Sequence, residues 1–172
     1  MKKLIIAFIT TSIILSGCAT VQSVIKSTFP YTSTINLYSG SKSDVVLSST
    51  SNTSSFDQIF GNQSGTDYIR EVRVASVRLD ASSPSNQSLG IFKSIKLFVV
   101  NGSAEVMAAS RSDIAENIGN NLVLDIDNSR LLDDYIKGNN VKVRMEYVLR
   151  NSLTSDISVR AAINFSSLPN PK

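Results

Sequence analysis

The chain contains no histidine and no tryptophan, and Cys18 is the only cysteine in its 172 residues. Without histidine there can be no Ser-His-Asp or Cys-His arrangement, and the side chain that most often acts as a general base at neutral pH is missing. With no histidine and no second cysteine, zinc and other transition metals lose their usual ligands. No disulfide can form within the chain. The composition therefore argues against an enzyme, a bound metal or another cofactor.

Carboxylates are present but form no recognisable catalytic or metal-binding pattern. A glycosidase would need only two of them, yet nothing in the sequence pairs the available acids: Asp125, Asp127, Asp133, Asp134 and Glu146. The run Asp125-Ile126-Asp127-Asn128 suggests calcium, because alternate acids can place oxygens toward one ion. It departs from the EF-hand loop, since Ser129-Arg130 stands where further oxygen ligands and a glycine should follow. We interpret these acids as lying on the outer face of a strand that leads into a turn.

The first eighteen residues carry the most specific motif. Met1-Lys2-Lys3 supplies positive charge, and the apolar run that follows, residues 4–15, is too short to cross a bilayer as a helix. The run ends in Leu15-Ser16-Gly17-Cys18, which resembles the lipobox of a bacterial lipoprotein signal peptide. This resemblance implies diacylglyceryl attachment to the Cys18 thiol, cleavage before Cys18 and acylation of the new amino terminus. The alternative is an ordinary secretory signal that ends near Ala19.

The resemblance also implies a location and a division of the chain. Ala19, rather than aspartate, follows the cysteine, which in the lipoprotein pattern argues against inner-membrane retention. We therefore expect a lipid-anchored protein of the bacterial cell envelope, in the outer membrane and facing the periplasm. The division is a signal peptide (1–17), a lipidated tether (18–30), one domain (31–168) and a C-terminal tail (169–172). Loss of Lys2 and Lys3 with the signal leaves 15 basic residues against 14 acidic ones, so charge and compartment both argue against nucleic acid.

Most of the domain alternates apolar and polar residues with period two, which indicates β-strands. In 141–150 and 157–165 the odd-numbered positions are apolar, and we expect these two strands to be an adjacent hairpin. Segment 67–79 changes parity, which predicts a β-bulge near Ala75-Ser76. Further strands are predicted at 93–99 and 122–126, and weaker ones at 31–38 and 104–109. Val45-Val46-Leu47 is a candidate edge strand within the serine-rich segment 39–55.

These strands predict an all-β fold, an antiparallel two-sheet β-sandwich of immunoglobulin-like or jelly-roll-like topology. Two short helices are expected in connections. One follows Ser129 and ends at Gly138, and the other follows Ser110 and Asp113 and ends at Gly119. The mature domain carries no motif of a family we can name. We expect a non-catalytic module that binds or scaffolds an envelope partner; the alternative is a surface-exposed glycan-binding or adhesive module.

The charge pattern offers one candidate site. Five basic residues have outward parity on predicted strands, and if at least three share one sheet, its outer face could attract an anionic glycan or acidic lipid headgroups. They are Arg73, Arg78, Lys142, Arg144 and Arg160. The competing interpretation is a solvated face with cross-strand ion pairs. Phe56, Phe60 and Tyr68 either form a small aromatic patch or cap one end of the core.

Overall fold

The computed structural model describes residues 27–56 and 65–170, and these residues are nearly all β. Every strand pairing is antiparallel, which confirms the predicted fold class at this level. The strands are β1 (Ser27–Leu37), β2 (Val46–Thr50), β3 (Ile69–Ser83), β4 (Phe92–Asn101), β5 (Ala104–Arg111), β6 (Asn121–Ile126), β7 (Val141–Leu149) and β8 (Ile157–Pro169). The signal peptide, the lipobox with Cys18, tether residues up to 26 and Phe60 lie outside the described residues.

The eight strands form one curled sheet in the order β1-β8-β3-β6-β5-β4-β7-β2. The sheet is weakest in its middle, because β5 and β6 share only the pairs Ala109–Ile126 and Ser110–Asp125. It thus has two four-stranded halves, with β1 and β2 as the outer edges. Apolar side chains from both halves meet in one continuous cluster.

The predicted alternation of 141–150 and 157–165 is confirmed, but their pairing as a hairpin is wrong. The odd-numbered residues of both strands are buried, including Val143 and Ile163, which are 0% exposed. However, β7 lies between β4 and β2, and β8 lies between β1 and β3. Period-two alternation fixes which face of a strand is buried and says nothing about its neighbour. The connection between β7 and β8 therefore crosses from one half of the sheet to the other.

The parity change in β3 is confirmed. Val72 and Val74 are buried before the change, and Val77 and Leu79 after it. The pairing of β3 with β8 shifts register between Val74 and Ser76, at the predicted bulge. The extra residue lets one long strand keep its apolar side chains on the inner face while it bends.

Both edge strands carry sequence features that suit an edge. Pro30 lies in β1, which begins at Ser27 inside the segment predicted as tether; a strand with one free side tolerates a residue that lacks an N–H. The candidate edge strand in the serine-rich segment is β2. Its Ser49 Oγ donates a hydrogen bond of 2.6 Å to the Asn36 carbonyl of β1. In the segment that follows β2, Ser54 Oγ is hydrogen-bonded to the Tyr31 hydroxyl of β1. Serine hydroxyls thus link the two outer edges of the sheet.

Replacing Ser51 by alanine should lower the free energy of unfolding by about 1–2 kcal/mol. Ser51 is buried, and its hydroxyl accepts the hydrogen bond of the Val143 N–H at 3.0 Å, which alanine would leave without a partner. Urea denaturation would measure the change. Asn52→Ala, next in the chain and exposed, is the control and should change stability by less than about 0.5 kcal/mol. Equal stability of the Ser51 variant and the wild type would contradict this role.

The two predicted short helices are absent, and the described residues contain no α-helix and none that could span a membrane. After Ser129 the chain makes a single turn, with the N–H groups of Tyr135 and Ile136 both bonded to the Leu132 carbonyl. Ser110 lies inside β5 and cannot cap a helix. One turn does not offset the cost of helix nucleation. Tertiary contacts hold these segments instead, among them the bond from Leu132 N–H to the Val72 carbonyl. Gly119 and Gly138 do have positive φ, both +83°.

Candidate functional site

The five predicted basic residues do not form one cluster. Arg73 and Arg78 lie on β3 and Arg160 lies on the neighbouring strand β8, so three of them share one half of the sheet. Lys142 and Arg144 lie on β7, in the other half. Outward parity placed all five on the outer surface, but parity could not show that the chain divides them between two halves.

Arg144 is committed to partners within the protein. Its Nε and Nη2 donate to the two carboxylate oxygens of Glu105, each at 2.9 Å, and its guanidinium lies 4.1 Å from the centre of the Phe98 ring. Glu146 is 3.6 Å from Arg144 and 3.2 Å from Lys96, which extends the network. The hydrogen bond to Glu105 is the largest cause that raises the pKa of Arg144. This arrangement is the cross-strand pairing of the competing interpretation, and it leaves Arg144 little capacity for an external anion.

Arg78 and Arg160 converge on one acid. Arg78 Nε donates to Asp80 at 2.8 Å, and Arg160 Nη2 is 3.4 Å from the other oxygen of the same carboxylate. Both arginines are more than half exposed, at 56% and 55% of their side chains. The triplet carries a net charge of +1 instead of +2, so its attraction for anions is weaker than the sequence suggests.

Arg73 differs from the other predicted arginines because no carboxylate pairs with it among the described residues. Its Nη1 donates to the carbonyls of Asn128 and Ser129, at 2.8 and 3.1 Å, and so ties the segment after β6 to β3. The side chain is half-buried. It lines a surface pocket of about 340 Å³ together with Thr28, Ala75, Ile126, Asn128 and Ser166.

The course of β6 creates this pocket. β6 pairs with β3 only over the four residues from Val77–Leu124 to Asp80–Asn121, and then it leaves β3 to pair with β5 at Ile126. A gap opens beside the first part of β3, and the pocket lies in it. Thr28 and Ser166 were not predicted as site residues, because only the register of β1, β8 and β3 brings them to Arg73. Asn128 was considered only as part of the calcium run, and the hydrogen bond from Arg73 to its carbonyl places it at the pocket.

Four of the five acids considered for calcium or catalysis are used within the fold, and one of them, Glu146, belongs to the Arg144 network. Asp125 pairs with Arg111 at 3.3 Å. Asp127 accepts from the Ser129 hydroxyl at 2.6 Å and from its N–H at 3.1 Å, and the hydroxyl bond is the main cause that lowers the pKa of Asp127. Asp133 accepts from the Val72 N–H. Within residues 27–56 and 65–170, no group of three or more acids or cysteines could hold a metal ion.

The aromatic residues divide between core and surface. Phe56 is fully buried and stacks on Tyr31, with ring centres 4.3 Å apart, and it meets Phe165 edge-on at 5.1 Å. Tyr68 is 50% exposed. Phe56 therefore belongs to the core, as the capping interpretation predicted, and it does not form a surface patch with Tyr68.

Comparison with known proteins finds no matching family model and no matching curated protein. Solved structures with similar chains include the cyanophage Pam1 capsid asymmetric unit, at 10% identity and a TM-score of 0.44, covering 82% of this chain and 85% of that one. Turnip yellow mosaic virus at 100 K matches at 12% identity and a TM-score of 0.29, covering 86% of this chain and 96% of that one. At this identity and TM-score, neither likeness indicates the function of this chain.

Proposed function

We propose that this protein is a lipid-anchored lipoprotein of the bacterial cell envelope, whose β domain binds or scaffolds an envelope partner without catalysing a reaction. The observation that carries the proposal is the sequence Leu15-Ser16-Gly17-Cys18 after a short apolar run with two lysines before it. Cys18 is the only cysteine, so lipidation would leave no free thiol in an oxidising compartment. Two or more acyl chains on Cys18 would hold the protein firmly in the membrane.

The distance from the lipid to the domain supports a position close to the bilayer. Ser27, the first residue of β1, comes nine residues after Cys18. Nine residues span at most about 32 Å, so the start of β1 would stand near the headgroups. β1 then continues for about 34 Å toward its other end. Exposed apolar side chains follow there, Tyr38 at 64%, Val45 at 44% and Val46 at 67%, and they would face an envelope partner away from the membrane.

The strand order supports a jelly-roll sandwich, in which the two four-stranded halves of the curled sheet pack face to face. One half reads β1-β8-β3-β6 and the other β2-β7-β4-β5, which is the arrangement of two four-stranded sheets built from two Greek keys. In an immunoglobulin-like sandwich the first and last strands lie in different sheets, whereas here β1 pairs with β8 along its length. Between the two topologies, the order therefore favours the jelly roll.

Replacing Cys18 by serine should move the protein from the membrane fraction to the soluble fraction. Serine keeps the size of the side chain but removes the sulfur to which the diacylglyceryl group attaches. Fractionation of cells by ultracentrifugation, followed by immunoblotting, would measure the distribution. Ser16→Ala, which keeps a small residue two positions before the cysteine, should stay in the membrane. A Cys18→Ser protein that remained in the membrane would contradict the anchor.

The side of the outer membrane on which the domain lies has a separate test. We propose that the domain faces the periplasm, supported by Ala19 after the cysteine and by the lack of an acidic run after it. Protease added to intact cells should then leave the protein whole, and protease added after the outer membrane is permeabilised should degrade it. Degradation in intact cells would instead support a surface module.

A further inference from the structure

Three polar side chains form a row across neighbouring strands at the pocket. Arg73 of β3 lies opposite Ser166 of β8, and Ser166 lies opposite Thr28 of β1. The backbones of neighbouring strands are about 4.8 Å apart, so these three residues border one small region of the surface, with the Arg73 guanidinium on the side of β3 that faces the end of β6. Ser166 is only 7% exposed although it is polar, and it lines the pocket.

Arg73 retains donors that the fold does not use. A guanidinium has five N–H donors, and in Arg73 only Nη1 is bonded to acceptors in the described part of the chain, the carbonyls of Asn128 and Ser129. These two bonds hold the guanidinium in place, while Nε and Nη2 have no protein acceptor there. No carboxylate lines the pocket within residues 27–56 and 65–170. The pocket thus presents a fixed, half-buried positive charge with unused donors.

The rest of the lining limits what the ligand can be. Ala75 and Ile126 add apolar surface to the wall, and Asn128 adds an amide. A volume of about 340 Å³ is at the lower end of small-molecule sites, so the pocket has room for a compact ligand or for one small group. Arginine with hydroxyl donors suits an anion that has several acceptor oxygens, because each oxygen can accept a separate hydrogen bond.

We propose that this pocket binds a phosphate-type oxyanion carrying a short apolar stem. Two sources share this chemistry: a phosphate headgroup of the anchoring membrane and a soluble phosphate ester. The headgroup source rests on the proposed function, because Thr28 lies within ten residues of Cys18 and thus within about 36 Å of the lipid. The binding chemistry itself rests on the pocket alone and does not require lipidation.

The test uses the whole mature chain with Cys18→Ser, labelled with ¹⁵N. Inorganic phosphate is titrated against chloride at equal ionic strength, and the amides of Ala75 and Asn128 and the Arg73 side chain are followed by NMR. We expect saturable shifts confined to these residues, and Arg73→Gln should weaken binding about tenfold or more, because a charge-assisted hydrogen bond is lost. Arg78→Gln removes the same charge from the same strand outside the pocket, and it should leave the affinity within about twofold.

A second variant separates binding from the structural role of Arg73. Ala75→Asp places a negative charge in the pocket wall while both Arg73 bonds to the Asn128 and Ser129 carbonyls remain. It should abolish the phosphate shifts and leave the melting temperature nearly unchanged. Absence of saturable shifts in the wild type at about 50 mM phosphate, well above the dissociation constant of a specific small-ligand site, or equal binding by wild type and Ala75→Asp, would overturn the proposal.

Vesicles distinguish the two sources. If the ligand is a headgroup, vesicles of phosphatidylethanolamine and phosphatidylglycerol should retain the acyl-free chain, and Arg73→Gln should reduce retention while Arg78→Gln should not. If the ligand is soluble, phosphate still shifts the pocket residues but the vesicles retain nothing. Both results support the pocket as an oxyanion site. Lipidation is judged separately from the N-terminal mass, so failure of the anchor cannot be mistaken for failure of the pocket.

Discussion

Ile163→Asp should unfold the domain or lower its melting temperature by about 10 °C or more. Ile163 is 0% exposed and lies in β8, between Tyr31 of β1 and Val77 of β3. Aspartate there would either bury an unpaired charge or have to take up a proton, and it would also remove the packing of a large side chain. The expected cost exceeds about 4 kcal/mol, a large part of the about 5–15 kcal/mol that stabilises a typical domain.

The control for Ile163→Asp is the next residue in the chain. Asn164 is exposed, and its side chain donates to Ser76 Oγ at 2.8 Å. Asn164→Asp introduces the same carboxylate on the exposed face and removes the N–H donor of that one bond, for an expected cost of about 1 kcal/mol. Circular dichroism during thermal unfolding would compare the two variants. Similar melting temperatures for both would show that the inward face of β8 is assigned wrongly.

Gly90→Ala should destabilise the protein by about 3 kcal/mol, because a Cβ at this position has no room. It would lie 1.9 Å from the Glu116 carbonyl oxygen and 2.4 Å from the carbonyl carbon, so backbone would have to move. Two hydrogen bonds hold the Gly90 backbone in place. Its N–H donates to Ser88 Oγ at 3.1 Å, and its carbonyl accepts from Arg150 Nε at 3.0 Å. Arg150 also binds the Ile114 carbonyl and is 3.6 Å from Glu116, which joins the two loops around this glycine.

Gly119→Ala is the matched control, since it makes the same chemical change in the facing loop. Gly119 has φ +83°, and a Cβ added there would meet no described atom within 4 Å, so the cost is backbone strain of about 1–2 kcal/mol. Urea denaturation of both variants would measure the difference. A Gly90 variant no less stable than the Gly119 variant would contradict the close approach of the two loops.

The buried face of each strand could be predicted from the sequence, whereas the strand that pairs with it could not. Alternation at Val143 and Ile163 identified buried positions correctly, and the parity change identified the bulge near Ala75-Ser76. Both are local consequences of the period of two. The partner of a strand depends on register and loop path, so β7 and β8 were joined as a hairpin although they lie in different halves of the sheet. Loop apolar residues such as Leu132 suggested helices, but they are buried by single turns.

For the candidate site too, the sequence predicted which side chains are on the surface but not which partners they have. Outward parity identified Arg73 and Arg144 as surface bases. It could not show that Glu105 accepts from both Nε and Nη2 of Arg144, or that Arg73 keeps unused donors. Thr28 lies in the predicted tether, and Ser166 lies just past the predicted strand 157–165. Both become part of a pocket only through the register of β1 and β8. Arg150 was not predicted as a functional or structural residue, because its three contacts with the two loops depend on the folded backbone.

The most direct test of the lipid anchor is the mass of the N-terminal tryptic peptide from protein purified out of the membrane fraction. Trypsin should cut after Lys26, so we expect a peptide of residues 18–26 that begins at Cys18 and carries a diacylglyceryl group and an amide-linked acyl chain. Digestion of the Cys18→Ser protein should yield no acylated peptide. An unmodified wild-type peptide that begins at Ala19 or retains residues 4–17 would contradict the lipid anchor at Cys18.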